Sequence, residues 1–512
     1  MKRIAIFLLL LLVILYTSSC SSVDEKVYFY PPAYLDDGNE PPVNPFLADS
    51  PWPMTHRNPY CQDSTPYAGP YDVSKGKFFH LEGLPGAITL AFSGPYSDGE
   101  RVIWGADQMY VYKVAHSKHG LKYIDRVKLP YGASITDVFN PDVGISGAYT
   151  LIDKDNIFYV PKLQKIYAYS DSVTGDPYSK IKLLRTFKIP DSLLISSDEK
   201  IVGLNITYDG MLVAVTDRGL LFTLSRDFRH LYYFRFSTDE EISNSIAVDV
   251  DEEGGIYVVT SKKMYRVQWT GNSLTLDENE GGWTANYDTG PSYLGGIRLG
   301  KGSGTTPTLM GTGDQDKFVV ITDGDRVMHI VLFWRDKIPD NWKQLPGTKD
   351  KRIAAQVKVT FGNPETDEST TDQSLVVRGY GVVVVSNQLR AKTSSKTLGI
   401  AFSGISKFAP RGAEKFVWDP VKKELYSQWA NRDVSFPNGI PAMSAASNLL
   451  YDVGLKNNIW VWEALDWDTG KEAFSFELGP YPEFNSAYAG TEIGMSRNLV
   501  SGTIFGLMSL YE

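Results

Sequence analysis

A theme of short β-strand patterns joined by tight turns recurs along most of this chain. One copy comprises the apolar runs at residues 87–92, 101–104 and 109–114, with Asp98-Gly99 between the first two. Successive copies begin roughly 40 to 65 residues apart, which is the spacing of β-propeller blades that carry some enlarged loops. The repeat therefore predicts an all-β repeat architecture, and it favours a propeller over an array of sandwiches.

The rest of the sequence supports an all-β fold. After residue 20, no stretch shows the 3.6-residue apolar period of an amphipathic helix. The 30 Tyr, 24 Phe, 45 Gly and 28 Pro residues suit many short strands separated by tight turns. From the number of copies we predict a single β-propeller of seven or eight four-stranded blades over residues 51–512.

Two stretches resemble one known family of β-propellers. Residues 464–474, Ala-Leu-Asp-Trp-Asp-Thr-Gly-Lys-Glu-Ala-Phe, resemble the closing hairpin of a blade in quinoprotein-like propellers, where Ala-x-Asp, Thr-Gly and a late aromatic residue recur. Residues 51–59, which open with Pro-Trp-Pro-Met, resemble the lead-in of the same propellers. The resemblance implies the propeller fold, and it implies that the lead-in packs beside the last blade and helps to close the ring.

The N-terminus predicts export. Lys2 and Arg3 precede an apolar run at residues 4–16, which is shorter than the ~20 residues of a membrane-spanning helix, as in a signal peptide. The small residues before Cys20 resemble a bacterial lipoprotein cleavage site. We therefore expect residues 1–20 to be the signal segment and Cys20 to receive the lipid. Ordinary cleavage to an unanchored exported protein is the alternative.

The same region predicts where the mature protein resides. Residues 21–50 are rich in proline and acidic residues and poor in aliphatic ones, which is typical of a tether between a membrane and a domain. We predict a location at the periplasmic face of the outer membrane, with the lipid as the only membrane attachment. The net charge of −9, without a dense Lys/Arg block, argues against nucleic acid as a partner.

Four asparagines and one glutamate form the predicted metal site. Ring closure would gather residues near the channel-lining strands of several blades, namely Glu82, Asn205, Asn244, Asn438 and Asn485. Amide and carboxylate oxygens suit Ca²⁺, which takes six to eight oxygen ligands, and the set is similar to the metal site of lactonase-like and strictosidine-synthase-like propellers. The alternative is structural, because asparagine is favoured at turns.

His56 and Arg57 are the predicted ligand-binding pair. Adjacent in the lead-in, they could present two cationic donors to an anionic ligand near the seam of the ring. A structural bond from Arg57 to blade carbonyls or to a carboxylate is the alternative. His56 is also a candidate general base.

The cysteine content argues against a quinone cofactor. Quinone-dependent dehydrogenases of the resembled family place a vicinal Cys-Cys pair against the quinone, whereas this chain has only Cys20 and Cys61. Lipidation of Cys20 would leave Cys61 unpaired. Without lipidation, a Cys20–Cys61 disulfide is conceivable.

Three functions remain open from the sequence. The first is a ligand- or protein-binding scaffold of the cell envelope that recognises its partner through channel-face loops, similar to the lipoprotein propeller of the outer-membrane assembly machinery. The second is a Ca²⁺-dependent hydrolase or lyase with its site at the central channel. The third is a quinone-dependent oxidoreductase. No Gly-x-Ser-x-Gly elbow or His-Glu-x-x-His motif is present to decide among them.

Overall fold

The computed structural model describes residues 30–83, 89–130, 148–250, 254–290, 300–391 and 396–512. In these residues, eight sheets follow one another, and each supplies one blade of a β-propeller; their strand pairs are antiparallel except for one short parallel pair in blade 7. Consecutive blades pack face to face, and the first blade contacts the eighth, which closes the ring. The prediction of an all-β propeller is confirmed, and the number of blades is eight.

The first four blades follow a simple up-and-down order. In each, the first strand lies innermost, at the channel, and the last strand lies at the periphery. In blade 4 the outer edge is split, since two short strands both pair with the third strand. The strands are Thr89–Phe92, Val102–Ala106, Tyr110–Ser117 and Gly120–Lys128 in blade 1; Leu151–Ile152, Phe158–Lys162, Lys165–Asp171 and Ile181–Lys188 in blade 2; Ile201–Ile206, Met211–Thr216, Leu220–Ser225 and Leu231–Arg235 in blade 3; and Ala247–Val248, Gly255–Val259, Lys263–Trp269, Leu274–Thr275 and Trp283–Asn286 in blade 4.

The last four blades follow the same order with two exceptions. Blade 8 borrows its outermost strand from the N-terminal part of the chain, and in blade 7 the short strand Ser64–Thr65 pairs parallel with the innermost strand. The strands are Thr308–Met310, Phe318–Thr322, His329–Trp334 and Ile353–Lys358 in blade 5; Val376–Arg378, Gly381–Val385, Ala413–Asp419 and Glu424–Asn431 in blade 6; Ala442–Ser444, Leu449–Lys456, Ile459–Asp466 and Glu472–Gly479 in blade 7; and Thr491–Gly494, Asn498–Thr503, Gly506–Tyr511 and the borrowed Lys77–Glu82 in blade 8.

The borrowed strand closes the ring. Lys77–Glu82 pairs antiparallel with Gly506–Tyr511, so that Lys77 lies opposite Tyr511 and Glu82 opposite Gly506. A strand from near the start of the chain and three strands from its end thus form one sheet. The lead-in at residues 51–59 does not supply the closing strand, but its Trp52 packs in the same apolar cluster as Ile493 and Leu499 of blade 8.

Residues 52–65 curve around the inside of the channel, and we call them the inner hoop. Each innermost strand has an unpaired edge facing the channel, and backbone groups left there without partners would cost free energy. The hoop carbonyls accept hydrogen bonds of 2.8–2.9 Å from the inner strands of six blades in sequence order. The accepting residues are Trp52, Pro53, Pro59, Tyr60, Gln62 and Asp63, and the donors are Phe92, Ile152, Val248, Leu309, Val377 and Met443.

Part of the predicted tether lies against the propeller. Residues 37–50 cover the face at which the innermost strands end. Asn44 Nδ2 donates to Thr207 O at 3.1 Å, and Tyr208 OH donates to Pro42 O at 2.9 Å. We call this side the covered face and the opposite side, where the innermost strands begin, the open face. The inner hoop and residues 37–50 together close the channel at the covered face.

Helix is scarce, as predicted. Lys396–Ser403 is the single α-helix in the described part of the chain, and it lies between the second and third strands of blade 6. The 3₁₀ turns are Asp191–Leu193, Glu278–Glu280 and Pro482–Phe484. Within the described residues, no helix is long and apolar enough to cross a membrane.

The hairpin at residues 464–474 forms the outer part of blade 7, as the resemblance implied. Asp466 Oδ1 accepts hydrogen bonds from Thr469 N and Oγ1 at 2.8 and 2.7 Å. Gly470 has a φ of 68°, which a side chain would strain. Phe474 packs beside Tyr451, with their ring centroids 6.1 Å apart. The motif therefore shapes a turn and an aromatic contact within the blade.

Candidate functional site

His56 is the centre of a polar contact set inside the inner hoop. Its Nδ1 atom is 2.7 Å from Asp63 Oδ2, and its Nε2 atom is 3.2 Å from Ser374 Oγ and 3.4 Å from Thr306 Oγ1. The ring of Tyr149 lies 5.6 Å from the imidazole, centroid to centroid. Relative exposure is 2% for His56, 3% for Asp63 and 6% for Ser374. The hoop thus brings one histidine against residues of blades 2, 5 and 6.

The bonds of His56 define its possible chemistry. When Asp63 is ionised, Nδ1–H donates to its carboxylate and Nε2 is left to accept from a hydroxyl group. Burial raises the pKa of Asp63, and the charge and hydrogen bond of His56 oppose that rise. A hydroxyl, an imidazole and a carboxylate in this order can activate a nucleophile, with Ser374 in that role. The same bonds also satisfy a buried structural histidine.

Arg57 turns away from His56 and toward the covered face. His56 and Arg57 have φ values of 65° and 70°, a region that residues other than glycine rarely adopt. Arg57 forms an ion pair of 2.5 Å with Glu40, which also pairs with Arg378, and Arg378 in turn pairs with Asp37. Burial disfavours ionisation of Asp37, but Arg378 overcomes this and holds its pKa below the ordinary value. The structural Arg57–carboxylate bond is therefore formed, and within the described part of the chain the side chains of His56 and Arg57 share no partner.

Two buried carboxyl groups lie near the hoop in blades 7 and 8. Asp452 Oδ1 accepts from Val453 N at 2.8 Å and from Thr491 Oγ1 at 3.3 Å, while Asp452 Oδ2 and Glu492 Oε2 have no hydrogen-bond partner among the described residues. Burial raises the pKa of both groups well above its ordinary value, and the charge of Asp63 raises it further. The surroundings of Asp452 and Glu492 therefore favour the neutral, protonated form of both carboxyl groups.

The structure brings together two of the five predicted calcium ligands. Asn438 Nδ2 donates to Asn485 Oδ1 at 2.9 Å, and Ser403 Oγ donates to Asn438 Oδ1 at 3.0 Å. Both asparagines precede the innermost strands of neighbouring blades, which is why ring closure places them side by side. Both amide side chains therefore already form hydrogen bonds within the protein.

The other three predicted ligands lie apart. Glu82 ends the outermost strand of blade 8, three strands from the channel, which is about 14 Å at ~4.8 Å per strand. Asn205 lies toward the covered face and donates to Pro59 O at 3.1 Å, whereas Asn244 donates to Ser303 O at 3.3 Å. Among the described residues, no group of three or more His, Cys, Asp or Glu side chains could hold a metal ion. Calcium binding by the five residues stays a prediction.

Comparison with known proteins shows a relative that spans nearly the whole chain. No family model matches the sequence. An uncharacterized protein of the archaeon Archaeoglobus fulgidus is 41% identical over 510 residues, covering 97% of this chain and 94% of the relative. The chain belongs to the family of this archaeal protein. Since the relative is uncharacterized, membership alone brings no function with it.

Solved structures agree on the fold. A europium-containing methanol dehydrogenase matches with a TM-score of 0.54 and 12% identity over 90% of this chain and 98% of the enzyme. BamB from Moraxella catarrhalis matches with a TM-score of 0.34 and 12% identity over 69% of this chain and 95% of its own. At 12% identity, the match to the methanol dehydrogenase shows the fold alone, which is that of a quinoprotein-like β-propeller.

The residues present do not fit the quinone site that the resemblance implies. The sequence has no vicinal cysteine pair, and Cys61 is the one cysteine of the described residues. Its Sγ lies 3.4 Å from Ile246 O, and burial raises the pKa of this thiol well above its ordinary value. The hoop itself lines the channel. The predicted lipidation site, Cys20, lies outside the described residues.

Sequence reasoning missed the partners of His56. Asp63 is only seven residues away, but nothing in its context marked it. Ser374, Asp452 and Glu492 are more than 300 residues away and carry no motif. They meet the hoop only because the propeller closes on itself, so a single sequence offered no signal for them.

Proposed function

We propose that this protein is an exported, lipid-anchored β-propeller that acts as a binding module of the cell envelope. Its open face is the recognition surface for a protein or small-molecule partner. One observation supports this most: residues 37–65 line the channel and lie against one face, so we assign recognition to the loops of the opposite face. A plugged ring is a rigid platform, and loops on rigid scaffolds commonly carry recognition.

The helical insertion of blade 6 is the part of the open face that best suits protein recognition. Leu398 and Ile405 are 51% and 41% exposed there, although both are large and apolar. Ser406 and Asn458 exchange hydrogen bonds of 2.9 and 2.6 Å, which fixes the insertion to a turn of blade 7. The exposed apolar groups therefore stand on an anchored element.

Photocrosslinking can test this surface. A benzophenone amino acid placed at Leu398 in the full chain should yield a discrete adduct in the producing cells, and Ile405→Asp should reduce its yield at least about tenfold. Such a loss corresponds to about 1.4 kcal/mol of binding energy. Val421 is 89% exposed in the outer hairpin of the same blade, at the covered face, and serves as the matched control position. Equal adduct yields at both positions would rule out the insertion as the recognition surface.

The anchor is tested in the same cells. The full chain should sediment with membranes, and mass spectrometry should find the acyl groups on Cys20. Cys20→Ala should leave the folded protein without acyl groups and in the soluble fraction. An unmodified Cys20 on a soluble, mature wild-type protein would remove the anchoring part of the proposal and leave the recognition surface standing.

Hydrolysis of a small ester is the second candidate function, and the alignment of Ser374, His56 and Asp63 favours it. In this step Ser374 Oγ gives its proton to His56 Nε2 and bonds to the ester carbonyl carbon. The bond to the leaving alkoxide breaks, His56 returns the proton to that oxygen, and water then releases the acid and restores Ser374. The step consumes one water and needs no oxidant.

A fluorophosphonate probe distinguishes this activity from a structural histidine. The wild-type protein should become labelled on Ser374 and hydrolyse p-nitrophenyl acetate, and Ser374→Ala should abolish both. His56→Asn should lower the turnover number by at least about a hundredfold, in line with general-base contributions. Thr306→Val, which removes the other hydroxyl beside His56, is the matched control. Absence of labelling in the wild type would exclude the hydrolase.

A further inference from the structure

The outermost strands of blades 1 and 2 form a basic surface at the periphery of the propeller. Gly120–Lys128 and Ile181–Lys188 are distant in the sequence but contact each other in the ring. Asp125 Oδ2 on the first strand accepts from Ile181 N on the second at 2.7 Å. Residues 118–128 and 180–188 carry seven exposed basic side chains, and we call this surface the basic rim. The seven are Lys118, Lys122, Arg126, Lys128, Lys180, Lys182 and Lys188.

Acidic side chains within the basic rim are few. Asp125 is the only one in the two segments, and it is half-buried and already accepts the hydrogen bond that joins the strands. Asp191, just after the second strand, pairs with Lys188 at 2.6 Å, which is the one ion pair that the seven basic groups form with described residues. The whole chain has a net charge of −9. The basic rim is therefore a positive exception on an acidic protein.

The acidic residues near the covered-face end of the basic rim are engaged or lie further in. Asp176, in the hairpin before the second strand, accepts from Tyr178 N at 2.9 Å. Glu100 accepts from Tyr178 OH. Glu100 and Asp98 belong to the hairpin between the first two strands of blade 1, two strands inside the rim, which is about 10 Å at ~4.8 Å per strand. These charges reduce the positive excess at one end and leave it intact along the strands.

Exposed apolar side chains stand among the basic ones. Leu183 and Leu184 directly follow Lys182, and they are 41% and 37% exposed. Neighbouring side chains of a regular strand point to opposite faces, but a β-bulge between Leu183 and Arg185 leaves Leu184 outside the pairing with the next strand. Val173, in the preceding hairpin, is 59% exposed. The surface thus combines positive charge with apolar groups that the fold does not bury.

We propose that the basic rim binds the surface of an anionic lipid membrane, with its lysines at the lipid phosphate groups and Leu183 and Leu184 at the upper end of the acyl chains. Basic side chains near such a surface are attracted to it, and apolar side chains add burial. The long lysine stems let the charge stay in the headgroup layer.

The choice of basic residue favours a membrane over an acidic protein. Six of the seven basic residues are lysine and one is arginine. Protein–protein interfaces are depleted of lysine and enriched in arginine, whose planar group pairs with single carboxylates, whereas lysine is a point charge that suits a diffuse anionic surface. This contact is separate from the lipid anchor and from the open-face recognition proposed above, and it depends on neither.

Vesicle cosedimentation of the full chain tests the proposal. Vesicles of one part phosphatidylglycerol to two parts phosphatidylcholine are compared with vesicles of phosphatidylcholine alone. The readout is the ratio of the two affinities, because the apolar run at residues 4–16 contributes to binding of both. The wild type should prefer the anionic vesicles at least about tenfold, and the preference should fall as salt is raised.

A triple variant tests the lysines. It should reduce the preference for anionic vesicles at least about fivefold, and it carries Lys122→Gln, Lys180→Gln and Lys182→Gln. The matched control removes three exposed lysines from the outer hairpins of blades 5, 6 and 7 and should keep the wild-type preference; it carries Lys343→Gln, Lys422→Gln and Lys471→Gln. All six side chains are exposed, so unchanged melting temperatures should show that both variants are folded.

A double variant tests the apolar part. Leu183→Thr/Leu184→Thr keeps residues that favour strands and should weaken binding to the anionic vesicles at least about threefold. Wild-type affinity of this variant would contradict the placement of the leucines in the membrane. Equal preference in the lysine variant and its control, or equal binding of the wild type to both kinds of vesicle, would overturn the proposal. Binding to polyglutamate without binding to anionic vesicles would also overturn it and assign the surface to an acidic protein.

Discussion

Replacing Arg335 with methionine should lower the free energy of unfolding by about 3–5 kcal/mol, the usual cost of leaving one member of a buried ion pair alone. Arg335 and Asp249 are both fully buried, with Arg335 Nε 2.9 Å from Asp249 Oδ2. Nη2 donates to Gly311 O at 3.1 Å, and Cζ lies 5.0 Å from the ring centroid of Tyr60 in the inner hoop. One side chain thereby ties blades 4 and 5 to the hoop. Urea denaturation followed by intrinsic fluorescence measures the loss.

The double variant Arg335→Met/Asp249→Asn is the informative control. It removes both charges, so it should recover a substantial part of the loss, by at least about 1 kcal/mol relative to Arg335→Met alone. Arg229→Met, at an exposed site, should change stability by less than about 0.5 kcal/mol. If the double variant were as unstable as the sum of the two single variants, the pair would not be energetically coupled.

Removing the two buried carboxyl groups should stabilise the protein at neutral and alkaline pH. Asp452 and Glu492 have folded-state pKa values well above their ordinary values because burial penalises their charge. The folded state therefore holds protons that the unfolded state has released, and stability falls as pH rises from about 4 toward the folded-state pKa values. Each unit of difference is worth about 1.4 kcal/mol.

Melting curves of Asp452→Asn/Glu492→Gln at several pH values check this sign. The variant and the wild type should differ much less near pH 4, where the folded-state carboxyl groups are protonated and the unfolded-state ones are still about half protonated. The variant should be more stable by at least about 1 kcal/mol at pH 8. Asp340→Asn is the control for the loss of an exposed carboxylate. A gain that is equal at pH 4 and pH 8 would show that the charges are not responsible.

The local sequence was sufficient to predict the strands and turns of the blades. The hairpin at residues 464–474 lies where its Asp, Thr and Gly residues predicted a turn, because turn formation depends on a few adjacent residues. The repeat of strands and turns predicted seven or eight blades, because strands and turns likewise depend on adjacent residues. The count of eight and the borrowed strand Lys77–Glu82 were not predictable, since ring closure depends on contacts between the two ends of the chain.

The candidate site was predicted less well than the fold. His56 was singled out, but its expected partner Arg57 lies in a different ion-pair network. The predicted calcium site requires its five residues to meet at one mouth of the channel. Glu82 lies instead at the periphery, and Asn205 lies toward the covered face. The sequence pattern locates strand ends only approximately. An error of half a strand length moves a residue from one end of the channel to the other.

The sequence by itself determined the all-β class, the repeat and the turn chemistry of single blades, since these follow from side-chain periodicity and local backbone preference. Only the tertiary structure decided what fills the channel. The inner hoop at residues 52–65 meets Ser374 across more than 300 residues because each blade leaves one unpaired strand edge, and a single segment satisfies most of those edges in turn. These unpaired edges face one another only in the closed ring, so no local stretch of the sequence predicts the segment that satisfies them.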